Sequence, residues 1–225
     1  LINQTEDNVG VLALEEDWRR TVDGILSIEA NDRLYIDDIR DKYKEQDLIK
    51  MYDKTFSNDR VFIHAHFGTN DIEDIFSKLR YLIVGCDCRW VIVDHLHMLV
   101  SSMTDGDERR AIDNIMTRLR SLVEETGAGI ILVSHLRRVQ GDKGHENGVS
   151  VSLSHLRGSN AIAQLSDCVI ALERNQQSED EVESRTTRLR VLKSRYTGDV
   201  GVATALVYDK DTGRLSEEED SEILN

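Results

Sequence analysis

Three polar residues each close a short apolar run. Asp94 ends "RWVIVD", Glu15 follows "VLAL", and His135 follows "ILVS". An acid at the end of such a strand is the residue type that holds the magnesium of a bound nucleoside triphosphate. Taken singly, each has a plainer reading. Asp94 could cap the next turn, Glu15 could be a surface acid beside Glu16, and His135 could be a satisfied core histidine. Together they make three polar groups at three strand ends, which is where ligands sit in parallel α/β sheets. A nucleotide site also needs a phosphate cradle, usually G-x-x-x-x-G-K-[ST]. The 225 residues contain no Gly-Lys dipeptide.

Other polar groups extend the candidate chemistry. His64/His66 and His95/His97 are two H-x-H pairs read as lying on strands, where residues two apart share a face. A metal site is conceivable there, but no cysteine or third histidine completes it, and His95 and His97 occupy the position where a nucleotide site should be. "LRGSNAIAQLSD" (156–167) sets Arg157 and Gly158 at a loop before a helix start, a pattern suited to phosphate contact. "HLRRVQGDKGHENG" (135–148) carries Arg137, Arg138 and Lys143 in one loop. Lys193 and Arg195 are two apart and point the same way on a strand. A cation pair at a strand end can stabilise the charge that develops in phosphoryl transfer.

These residues need elements to hold them. Residues 9–14 and 60–67 read as strands, and 17–28, 36–56 and 70–84 as helices. "RWVIVDHL" is a strand. Residues 107–126 form the clearest helix, with Ile112, Ile115, Met116, Leu119, Leu122 and Val123 on one stripe. Residues 127–136 read as a buried strand, followed by a polar loop to about 152. Residues 168–174, 186–195 and 202–209 are three more strands. Alternation followed by consecutive strands predicts an α/β fold, with a mostly parallel central sheet flanked by helices and an antiparallel extension. The expected division is one domain over 1–215 and a disordered acidic tail over 216–225.

Bulk properties restrict the function classes. The net charge is −14, and "SEEEDSE" (216–222) is a solvated acidic run. Arginines cluster instead at 137, 138, 157, 174, 185, 188, 190 and 195, so the chain could be acidic outside and basic along one channel. No apolar run approaches the length of a membrane span. Three cysteines with no C-x-x-C pair suggest neither a disulfide frame nor a zinc ribbon. A reducing, cytoplasmic setting is expected.

A series of strings resembles the motor domain of ring-shaped replicative DNA helicases. The likeness is to the primase–helicase family of T-seven-like phages, with the mitochondrial helicase Twinkle more distant. The strings are "LEE" (14–16), "VIVDH" (91–95), "DERRAIDNIMTRL" (107–119), "SHL" (134–136), "LRGS" (156–159), "QLSD" (164–167), "ALERNQQ" (171–177) and "KSRYTGD" (193–199). They run in family order across nearly the whole chain. The resemblance implies a RecA-like core that uses ATP or dTTP with magnesium. Single-stranded DNA is the implied partner, with the protein itself assembling as a ring hexamer that unwinds duplex 5′ to 3′. It casts Glu15 as the base orienting the attacking water and Asp94 as the magnesium-linked Walker B acid, acting through water. His135 becomes the γ-phosphate sensor. Arg195 becomes a finger given in trans, assisted by Lys193 and Arg174. Arg33 and Tyr208 match positions that sandwich the nucleotide base. Arg137, Lys143, Arg157 and Gly158, counted with Arg138, match channel loops that hold DNA. The acidic tail would contact the replicative polymerase in a phage-infected bacterial cell. Gly141 and Ala163 depart from the family's cations, which implies a weaker or differently spread grip on DNA.

In that family the phosphate loop lies just before the strand ending in "LEE". The expectation is therefore a chain that starts downstream of the loop, missing the first strand and helix and inactive alone. Two other readings stay open: a RecA-like binding module without a phosphate loop, acting as a ring partner or recombination accessory, and a recombinase of the same fold class.

Overall fold

A computed structural model describes residues 1–65, 71–100, 107–138, 144–158 and 160–217. The chain divides into two compact units, Leu1–His135 and Leu136–Asn225.

The first unit is built on four parallel strands in the order β2-β1-β3-β4. They are β1 (Asn8–Ala13), β2 (Val61–Ala65), β3 (Cys88–Asp94) and β4 (Gly129–Leu132). β1 and β3 are central, and their apolar runs fit strands covered on both faces. Leu12 is fully buried and sits opposite His64 on one side and Val93 on the other. β4 is an edge strand among the described residues. Ile131 and Val133 are exposed, so the reading of 127–136 as a buried strand is corrected: only one side of it is paired.

Helices join these strands. α1 (Trp18–Ala30) begins at Asp17, whose carboxylate accepts from the Arg19 amide at 2.8 Å, as the sequence suggested. The helix read over 36–56 is broken into α2 (Asp37–Arg40) and α3 (Glu45–Phe56). At the break, Tyr43 donates its hydroxyl to Asp32 at 2.9 Å. α4 (Ile72–Arg80) runs on into one wider turn, Tyr81–Gly85, before β3. A short helix α5 (Leu96–Val100) follows β3.

α6 (Glu108–Thr126) buries Ile112, Ile115, Met116, Leu119 and Leu122, the stripe seen in the sequence. It stops at Gly127, whose φ of +72° favours glycine. Gly129 is required for a different reason: a Cβ there would lie 2.3 Å from the Trp90 ring. Arg118 forms a two-pronged pair with Glu73 at 2.7 and 2.9 Å, and Arg80 forms another with Glu125. These fix α6 against α4, and Arg118 holds the Glu73 carboxyl below its ordinary range. The core contributes more than such exposed pairs. Ile112 is fully buried, and Ile112→Ala is expected to cost about 2–5 kcal/mol. The shift in urea midpoint, at unchanged slope, measures it.

The second unit carries the expected antiparallel strands, as a sheet in the order β5-β6-β7-β8. Its strands are β5 (Cys168–Arg174), β6 (Thr186–Ser194), β7 (Gly201–Tyr208) and β8 (Leu215–Glu217), with a short helix α7 (Ala161–Leu165) ahead of them. β8 was not foreseen. Ser216 and Glu217, assigned to the tail, pair instead with Val207 and Leu206. The remainder of the tail lies outside the described residues. No described helix is long and apolar enough to cross a membrane.

Candidate active site

The first unit gathers its polar groups at the carboxyl ends of β1, β3 and β4. Backbone hydrogen bonds continue beyond the strands and set the spacing. The Leu14 amide donates to the Asp94 carbonyl at 2.7 Å, which puts Glu15 beside Asp94. The Val133 amide donates to Val93 at 3.0 Å, and the Leu96 amide donates to Val133 at 2.9 Å. These bonds carry His135 to the same end of the sheet. Glu15, Asp94 and His135 thus lie at the same end of the sheet.

A fourth residue joins them. His95 is 5% exposed, and its Nδ1 lies 2.8 Å from Glu15 Oε2 and 3.9 Å from Asp94 Oδ1. The 2.8 Å approach is not aligned as a hydrogen bond, so Nδ1 remains without one. The His135 ring stacks on the His95 ring at 3.9 Å, and the His97 ring lies 5.5 Å from His135. The two H-x-H expectations are therefore corrected. β3 ends at Asp94, so His95 follows the strand and His97 lies on α5. The third histidine that the sequence did not supply is His135. His64 lies on β2, and His66 is outside the described residues.

The carboxylates of Glu15 and Asp94 remain 62% and 48% exposed. Two adjacent, solvent-facing oxygen donors suit a hard divalent cation such as magnesium. Arg33, after α1, has its amide bound to the Asp32 carboxylate at 2.8 Å.

In the second unit the cations have defined partners. Lys193 donates to the carbonyls of Ala163 and Ser166 at 2.6 and 2.8 Å, at the end of α7. Arg195 donates to the Gln164 carbonyl at 2.7 Å and pairs with Asp167 at 3.1 Å. The two side chains do share a face, and both close the last turn of α7. Arg174 donates to the Ser184 carbonyl at 2.7 Å. Arg190 pairs with the buried Glu173, which also accepts from the Val151 amide. Arg188 pairs with Glu183. Much of the arginine cluster is thereby neutralised locally. Arg137, Arg138 and Arg157 are exposed. Gly158 has a φ of +101°, a conformation that suits glycine. Tyr208 ends β7. Lys143 and Gly141 lie outside the described residues.

The profile of the DnaB-like helicase C-terminal domain matches residues 1–217. The chain belongs to that family. It is 35% identical over 209 residues to the DNA helicase/primase of Enterobacteria phage T3, covering 92% of this chain and 36% of that relative. The chain thus spans about a third of the length of that curated relative. Two solved structures share the fold. A DnaB-like replicative helicase, described with its interactions with primase, aligns over 95% of this chain and 51% of its own, at TM-score 0.74 and 21% identity. A KaiC-like protein of Pyrococcus horikoshii OT3 aligns over 96% of this chain and 77% of its own, at TM-score 0.59 and 11% identity. The helicase-family resemblance and the RecA-like α/β fold expected from the sequence are both borne out.

Proposed function

We propose that this DnaB-like helicase domain is the motor part of a replicative helicase, driven by ATP or dTTP with magnesium and moving 5′ to 3′ along single-stranded DNA as a ring hexamer. The observation that carries the reading is the convergence of Glu15, Asp94 and His135 at three adjacent strand ends. Bound magnesium–nucleotide supplies the phosphoanhydride to be cleaved. Asp94 would hold the cation, through water. Glu15 orients and deprotonates the attacking water. His135, stacked on His95, reports the state of the phosphate to the loop that follows. Arg195, with Lys193 and Arg174, serves a neighbouring subunit's site. Arg33 and Tyr208 flank the base.

Since the 225 residues hold no Gly-Lys dipeptide, this chain alone is expected to show negligible hydrolysis. Joined to a G-x-x-x-x-G-K-[ST] segment, it should hydrolyse ATP and do so faster with single-stranded DNA. Hydrolysis by the unjoined chain at a comparable rate, or none after joining, sinks the proposal. A chain that binds nucleotide but never hydrolyses it would favour the non-catalytic ring partner.

DNA contact is assigned to Arg137, Arg138, Lys143, Arg157 and Gly158. Such contacts to phosphate carry no base information. In the joined, assembled protein, Arg137→Ala with Lys143→Ala should weaken binding of all sequences alike. The salt slope should flatten by about 0.7 for each phosphate that is no longer neutralised. A sequence-selective loss would mean the loop does something else. The acidic segment after Glu217 is assigned to a replicative polymerase, and its deletion should lower affinity for that partner while sparing strand separation.

A further inference from the structure

We infer that His95, His97 and His135 form a binding site for a borderline divalent transition-metal ion of the zinc type, separate from the carboxylate-held magnesium. One donor atom from each residue lies within 4.8 Å of the others. His95 is buried, and its Nδ1 has no aligned hydrogen bond although Glu15 and Asp94 are close. An imidazole nitrogen buried without a bond is costly unless something binds it. The rings of His95 and His135 are already face to face at 3.9 Å.

Nitrogen donors decide the class of ion. Three imidazoles suit zinc, cobalt, nickel or copper, whereas magnesium takes oxygen ligands and releases its waters reluctantly. A tetrahedral ion with bonds of about 2.0–2.1 Å needs donors about 3.3 Å apart. The present spacing therefore closes by about 1.5 Å at most on binding, within the reach of ring rotation about the side-chain bonds. Three protein ligands leave a fourth position for water. The fold makes the cluster from two different strand ends. His95 and His97 leave β3 and enter α5, while His135 follows β4, and the Val133–Val93 and Leu96–Val133 bonds hold the two ends in step. A bound ion therefore cross-links the ends of β3 and β4 whether or not nucleotide is present. The site shares His135 with the proposed nucleotide reading, but its donors are imidazoles and the test below uses no nucleotide, so either can fail without the other.

The test uses the tag-free 225-residue chain. Cobalt is titrated in and its visible absorption followed, then zinc is added to displace it. The expected result is one equivalent of tetrahedral cobalt without thiolate charge-transfer absorption, displaced by one equivalent of zinc at millimolar magnesium. Zinc at a hundredfold over its Kd should also raise Tm by roughly 5 °C or more. His97→Ala should weaken binding by at least about tenfold, as loss of one of three ligands requires. The same loss is expected for His135→Ala, an exposed side chain whose removal leaves the fold intact by circular dichroism. His155→Ala, near His145 in the second unit, should change nothing. Absence of stoichiometric binding, thiolate absorption from Cys86 or Cys88, or full affinity in both His97→Ala and His135→Ala would overturn the site.

Discussion

In an assembled protein joined to a phosphate loop, Arg195→Ala is expected to lower DNA-stimulated hydrolysis by about 10³–10⁵, the range spanned by arginine fingers in phosphoryl transfer. Nucleotide affinity should change little, because a finger acts on charge that develops only in the transition state. The contacts of Arg195 sharpen the expectation. Its guanidinium rests on the Gln164 carbonyl and on Asp167, at the end of α7. To reach a neighbouring subunit's phosphate, the side chain must leave that seat. The exchange is feasible because an exposed pair of this kind contributes only about 0–1 kcal/mol. Lys193 is held more firmly, with carbonyls of Ala163, Gln164 and Ser166 around its ammonium. Lys193 therefore positions the α7 end on which Arg195 rests, and Lys193→Ala should reduce the rate less than Arg195→Ala. Mixing Arg195→Ala subunits with unaltered ones separates the two geometries. A finger acting in trans makes activity fall faster than the fraction of altered chains, and a strictly proportional loss would place it in cis.

How much of this was legible beforehand varies with the physical signal. α6 could be read from one stripe of apolar residues, because a long period of 3.6 is hard to imitate by chance. β1, β3 and β5 through β7 were also readable, as apolar or alternating runs bounded by polar turns. β8 was missed because "LSE" is short, acidic and exposed, with nothing in its composition to separate it from the tail. The broken helix over 36–56 was missed because its apolar spacing continues through the break, while the Tyr43–Asp32 bond that marks it is a tertiary contact.

The candidate site shows the same division. Glu15, Asp94 and His135 could each be placed at a strand end from sequence. His95 could not be placed beside Glu15, because that depends on the register in which Ala13 faces Asp94. The histidine trio was hidden by an error of one element. Extending β3 through His97 put both histidines on a strand face, whereas the chain turns into α5 at Leu96. The signal was present in "DHLH" and "SHL" read together. It needed the parallel pairing of Val93 with Leu132 to become a cluster.

Glu15 separates chemistry from binding most directly. In the joined, assembled protein, Glu15→Gln is expected to reduce kcat by about 10²–10⁴, the usual contribution of a positioned general base. The substitution keeps the shape and most of the hydrogen-bonding capacity of the side chain and removes its basicity. KM and assembly should stay near their original values, because the carboxylate is exposed and contributes little to the packing of the strand end. Asp94→Asn should behave differently. If Asp94 holds the cation as proposed, the change weakens that hold, so its defect should ease as magnesium is raised, while the Glu15→Gln defect should not. The contrast rests on geometry that both residues share: adjacent strand ends, joined by the Leu14–Asp94 backbone bond, with His95 Nδ1 close to both carboxylates. If added magnesium rescued both variants equally, Glu15 would be a second cation ligand and the attacking water would need another base. If Glu15→Gln kept full kcat, the convergence of these strand ends would mark a binding site and the motor reading would lose its catalytic centre.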